Sequence, residues 1–177
     1  MPGRWIAMPR DDQSLGEFID AAVDDHPKAK SMLAACPGLR DRGWLHGETA
    51  LHFLAIENYI EGVRFCCENG FDVNATNEFG DTALIDVMTL GRLELVNLLL
   101  EHGADPNAKS RTRISALHTA VGSGDVELVR RMLAAGARPD NAASVTELLY
   151  ELPEDEPARS EIIKVLRDFG FEQEEQE

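Results

Sequence analysis

Positive charge is scarce in this chain. Of its 177 residues, 17 are lysine or arginine and 32 are aspartate or glutamate, which leaves a net charge of −15. So acidic a chain repels phosphate, which argues against nucleic acid as a partner and against anionic membranes. Long apolar runs are missing as well. No segment approaches the ~20 apolar residues that a membrane span requires. The opening MPGRWIAMPRDDQS lacks the apolar stretch of about seven or more residues that a secretory signal needs, so none is expected there. Met8 offers a second start, with residues 1–7 as a short extension. Cysteine is sparse: Cys36, Cys66 and Cys67, an odd number with two adjacent. Adjacent cysteines rarely pair because the short loop strains the bridge. Three free thiols point to a reducing cytoplasm. The remaining composition, 44% hydrophobic and 28% charged, is that of a globular chain long enough for one core.

What the chain has in quantity is repetition. Gly70, Gly103 and Gly136 stand 33 residues apart. Thr49, Thr82 and Ser115 keep the same step, as do Leu51, Leu84 and Leu117, and Val63, Val96 and Val129. Asn74 and Asn107 follow it too. The aligned units read GETALHFLAIENYIEGVRFCCENGFDVNA, GDTALIDVMTLGRLELVNLLLEHGADPNA and RISALHTAVGSGDVELVRRMLAAGARPDN. Such a period is the mark of a stack in which each unit covers its neighbour.

Each recurrent position has a physical reason. The hydroxyl residue sits where a first helix begins and can cap an unpaired amide. Leu51, Leu84 and Leu117 are expected to be the buried knobs of those helices. In the second helix, Leu93, Val96, Leu99 and Leu100 draw one apolar stripe. Val126, Val129, Met132 and Leu133 repeat it, and so do Ile60, Val63, Cys66 and Cys67. The cysteine pair thereby reads as core packing, with a redox or metal role as the alternative. The following glycine suits a left-handed helix end, and Pro106 and Pro139 prevent the helix from continuing.

The unit length and the Thr-Ala-Leu-His run at 49–52 resemble the ankyrin-repeat family. The resemblance is strongest over 44–142. It implies an all-α solenoid of about five helix-turn-helix units with short hairpin-like loops. It also implies that the threonine and histidine tie the first turn to the neighbouring unit. His52 and His118 match that histidine. Ile85 does not, so the second unit should lack the tie. The expected organisation is a frayed extension at 1–13, a degenerate amino-terminal cap unit at 14–43, and repeats at 44–76, 77–109 and 110–142. A degenerate carboxy-terminal cap at 143–171 and an acidic tail at 172–177 complete it. In the first cap, Ser14 with Glu17 reads as a capping box, Phe18, Ile19, Ala22 and Val23 as one apolar face, and Pro27 as a break before Met32 and Leu33. In the last, Thr146, Leu148 and Leu149 open a helix, residues 153–157 form an insert, and a second helix follows from Ser160. The tail reads as solvated charge, with docking of a basic partner as the alternative.

Catalytic constellations are sparse. Val121-Gly-Ser-Gly-Asp lacks the spacing and lysine of a phosphate loop. The five histidines do not gather at metal-ligand spacing, and the Cys66-Cys67 pair falls in a helix stripe, so a zinc site with His46 and His52 is set aside. No cofactor, metal or catalytic residue is expected, and the chain reads as a non-enzyme.

Binding is expected where the resemblance places it, on the hairpin tips and the inner face of the first helices. The matching tip positions are Leu45, His46 and Glu48, then Glu78, Phe79 and Asp81, then Arg111, Thr112 and Ile114. At the first-helix ends they are Ile56 and Glu57, then Thr89 and Leu90, then Gly122 and Ser123. Leu45, Phe79, Leu90 and Ile114 have no evident core role, so they either form a partner surface or tuck against the next hairpin. Glu48, Glu57, Glu78 and Asp81 make the first two units acidic, and Lys109, Arg111 and Arg113 make the third basic. Trp44 is expected to cover the seam with the amino-terminal cap. Arg113 replaces the glycines at 47 and 80, so the third hairpin should be reshaped if that position needs positive φ. The function expected is a cytoplasmic, monomeric module that binds a protein, as adaptor, sequestering factor or immunity-type inhibitor. The alternative is an accessory or stabilising subunit of an enzyme, for example in stress defence.

Overall fold

The computed structural model describes residues 13–111, 115–139, 149, 152 and 157–171. Among them are nine α-helices: α1 (Gln13–Asp24), α2 (His26–Ala35), α3 (Ala50–Ile56), α4 (Ile60–Glu68), α5 (Ala83–Thr89), α6 (Leu93–Glu101), α7 (Ala116–Gly122), α8 (Val126–Ala134) and α9 (Pro157–Asp168). The described residues include no strand; isolated bridges, Thr76 with Thr82 and Lys109 with Ser115, close two of the loops. Helices α3 and α4, α5 and α6, and α7 and α8 pack as hairpins, and α3, α5 and α7 then lie side by side. Helix α1 packs against α4 and α3, and α9 against α8. The all-α solenoid expected from the repeat is the architecture observed. The expectations for residues 1–12, Thr112, Arg113, Ile114, Thr146, Leu148, residues 153–156 and residues 172–177 fall outside the described residues.

Hydroxyl caps start the first helices. Thr82 Oγ1 accepts from the Ile85 amide at 3.5 Å, and Ser115 Oγ accepts from the His118 amide at 3.2 Å. At Thr49 the His52 ring completes the turn: Nδ1 accepts from the Thr49 amide at 3.2 Å. Nε2 is thereby left to donate to the Asp81 carbonyl of the next unit, 3.2 Å away. Burial lowers the pKa of His52, which favours the neutral ring that this pattern uses. The expected tie therefore exists at His52, whereas Ile85 carries no polar atom to make one.

The second helices bury more than a narrow stripe. In α6 the buried residues are Leu95, Val96, Leu98 and Leu99, while Leu93 and Leu100 are partly exposed. In α8 they are Leu128, Val129, Met132 and Leu133, with Val126 at the edge. The expected stripe is thus turned toward 95 and 98. The reason is that α6 is covered both by α5 of its own unit and by the neighbouring α4. In α4 the buried set includes Phe65 and Cys66, and Cys67 moves to the rim. Gly62 stands where the later units have leucine. A Cβ there would come 2.8 Å from Leu54 Cδ2, so the large residue of this pair sits on α3 instead. At the matching positions the volumes shift the other way, Val87 with Leu95 and Ala120 with Leu128, all buried.

Asparagines stitch the units together. Asn74 Nδ2 donates to the Gly103 carbonyl at 3.1 Å, and its Oδ1 accepts from the Asp105 amide at 2.8 Å. Asn107 repeats both bonds with Gly136 and Arg138, at 3.2 and 2.9 Å. At the amino-terminal end, Phe18 of α1 lies 5.5 Å from Phe71 and 6.3 Å from Phe65, ring centre to ring centre. Ser14 lies within α1, where its hydroxyl accepts from Arg42, rather than in a cap position. Pro27 opens α2, with Asp25 as its N-cap accepting from the Lys28 amide. At the other end α9 begins at Pro157, three residues earlier than expected. The Arg159 guanidinium donates to the Leu149 and Leu152 carbonyls.

Candidate functional site

The tips are built from an asparagine-centred turn. Asn77 is buried, and its Oδ1 accepts from the amides of Phe79 and Asp81 at 2.9 and 3.0 Å. Phe79 is thereby raised to the apex, and Gly80 turns the chain at φ 78°. Gly47 has φ 74° at the same place in the preceding tip. Positive φ is therefore the rule at this loop position in both tips. Adjacent tips are joined through the backbone. The Glu78 amide donates to the His46 carbonyl at 2.7 Å, and the Arg111 amide to the Phe79 carbonyl at 2.9 Å. The tips thus form one row across three units.

Along that row Leu45 and Phe79 are 58% and 53% exposed. The Phe79 ring meets the His46 ring at 5.3 Å, so it is partly covered by local packing while half of it remains open. His46 and Glu78 are exposed, and His46 Nδ1 lies 3.8 Å from the Glu78 carboxylate. Arg111 is exposed, and Glu48 and Asp81 are partly buried. Thr112 and Ile114 are outside the described residues. Trp44 takes the position equivalent to Asn77 and packs on Phe53 of its own unit, 5.7 Å between ring centres.

The helix ends continue the face. Leu90 is 50% exposed at the close of α5. Thr89 beside it is exposed, with its hydroxyl donating to the Ile85 carbonyl at 3.0 Å. Ile56 and Glu57 are partly buried in the unit before, and Gly122 and Ser123 are exposed in the unit after.

One residue of this face was not among the expected ones. Asp86 lies one turn before Leu90 on α5, so the two share a side of the helix. Its Oδ2 is buried and has no hydrogen-bond partner. Burial, then the negative charges of Asp81 and Glu48, push its carboxyl up to about 7. Burial also raises Asp81 and Glu48, against the pull of His52 and His46 respectively. The signal available in the sequence was the register: the matching positions are Phe53 and Thr119, and only this unit has a carboxylate there.

Among the described residues no three histidine, cysteine or acidic side chains gather within reach of one metal ion. Burial raises the Cys66 thiol well above its usual range and pushes Cys67 up to about 11, so both stay protonated at neutral pH. Among the described residues no helix is long and apolar enough to cross a membrane.

A family model described as ankyrin repeats in three copies matches residues 18–110, and a second, described as ankyrin repeats in many copies, matches residues 86–141. No curated protein matches the chain.

Proposed function

Because the chain belongs to the ankyrin-repeat family, whose repeats are protein-interaction modules, we propose that it is a non-catalytic binding protein that holds one specific protein partner on the row of tips and first-helix ends. Its role is that of an adaptor, a sequestering factor or an immunity-type inhibitor. The observation that carries this reading is the exposure of Leu45, Phe79 and Leu90 along one face; among the described residues the other exposed large apolar side chain is Phe169, which follows the last helix. Three cysteines without a disulfide support a cytoplasmic setting.

The test is affinity capture from the source lysate with the wild-type chain beside the Phe79→Glu/Leu90→Glu variant, both first checked for melting temperature. Both side chains are half exposed, so the variant should melt within a few degrees of wild type. A protein retained by wild type and lost by the equally stable variant supports the reading. Identical retention by both removes this face from the function.

A further inference from the structure

Among the described residues, no lysine or arginine is set against Asp86 in the acidic half of the face. Asp86 Oδ2 is buried without a hydrogen-bond partner, which is a costly arrangement in a folded protein. Among the described residues its charged neighbours are Asp81 and Glu48, of the same sign. Among the described residues, only imidazoles attract those two, His52 at Asp81 and His46 at Glu48. Two half-open apolar side chains belong to the same unit's face, Leu90 one helical turn from this carboxylate and Phe79 at the apex of the tip. The acids do not converge closely enough to bind a metal. A long cationic side chain meets both demands: its head group pairs with the carboxylate and its stem covers apolar surface.

We propose that the partner presents a basic segment to this face, with an arginine or lysine seated against Asp86 and apolar residues on either side of it resting on Leu90 and Phe79. The inference rests on the binding role given above and names the chemistry of the partner. Specificity follows from the geometry. An acidic segment is repelled by three carboxylates, and a neutral one leaves their charge uncompensated.

A random dodecamer display library panned on the full chain tests this. Enriched sequences are then synthesised and their binding measured by fluorescence anisotropy. The expected result is enrichment of peptides with an arginine or lysine bordered by apolar residues. Asp86→Asn should weaken them on the order of tenfold to a hundredfold, with its melting temperature undiminished. Replacing the peptide arginine by neutral citrulline should cost a similar factor, and should cost little more once Asp86→Asn is present, because both changes remove one pairing. Glu94→Gln, on the neighbouring α6, should leave binding unchanged. Neutral or acidic peptides that lose binding in Phe79→Glu/Leu90→Glu but not in Asp86→Asn would overturn the cation seat and leave the binding face standing. Enrichment of no peptide, or only of peptides indifferent to both variants, would overturn the seat and the face together.

Discussion

Asp86 is the carboxyl of the face that is pushed furthest from its ordinary range. Its carboxyl titrates near 7 in the folded chain and near 3.9 when unfolded. Below pH ~4 both states hold the proton and the group costs nothing. Between pH ~4 and 7 the unfolded chain releases the proton while the folded chain keeps it, so stability falls as pH rises. Above 7 that loss is complete. Asp86→Asn should therefore be no more stable than wild type at pH 4, gain on it through pH 7, and level off. Partial solvent access screens the effect, so the advantage at pH 8 should be about 1–2 kcal/mol. Urea denaturation of both proteins at pH 4, 6 and 8 measures the difference directly; a constant gap across pH would mean that Asp86 is not the titrating group. The difference is the right quantity, because His52, whose pKa burial lowers, contributes stability of the opposite pH dependence. The open apolar members of the face were legible in the sequence, since Leu45, Phe79 and Leu90 sit where the repeat needs no core residue. Asp86 was not. A single aspartate on a helix reads as solvated charge, and its burial depends on neighbours from other parts of the chain.

At the scale of the element, the second helices separate what periodicity can and cannot decide. The 33-residue step placed the first helices of the three central repeats and their hydroxyl caps, because caps and knobs recur at fixed positions. The core face of α6 was harder, since Leu98, Leu99 and Leu100 are consecutive and equally apolar. Only packing against α5 and α4 selects Leu98 and Leu99 and leaves Leu100 at the rim. The two registers differ in a measurable way. Leu98→Ala and Leu99→Ala should each cost about 2–5 kcal/mol, as truncations of buried leucine do. Leu100→Ala should cost less than half as much. A larger loss at Leu100 than at Leu98 would turn the helix back to the stripe expected from sequence. The end units were the least legible elements. Pro27 read as a break, and the chain does break between the end of α1 at Asp24 and the start of α2 at His26, with the proline itself in the first turn of α2 behind the Asp25 cap.

For the whole molecule, the question is how far one unit feels another. A repeat stack is stable as a sum of units and interfaces between neighbours. Here the two kinds of interface differ. The middle units are joined by paired asparagine bonds from Asn74 and Asn107 and by first helices packed side by side. The amino-terminal unit is held by an aromatic seam, with Phe18 fully buried between Phe65 and Phe71, and has no asparagine stitch of this kind. Phe18→Ala removes the centre of that seam, a loss of about 3–5 kcal/mol for a buried phenylalanine. If coupling is between neighbours, the loss falls first on α1 and α2. Native-state hydrogen exchange should then speed up by about a hundredfold or more across residues 13–40, while α5 and α6 keep most of their protection because their own interfaces are untouched. Equal acceleration in every helix would mean that the stack opens as one unit. The distinction bears on binding, because the acidic face lies on the first two repeats, next to this seam. Local opening of the cap would leave the second repeat's Phe79, Asp86 and Leu90 in place, so Phe18→Ala should retain the partner or peptide affinity of wild type at temperatures where the cap is already open. All-or-none opening would lose affinity in step with the fraction unfolded.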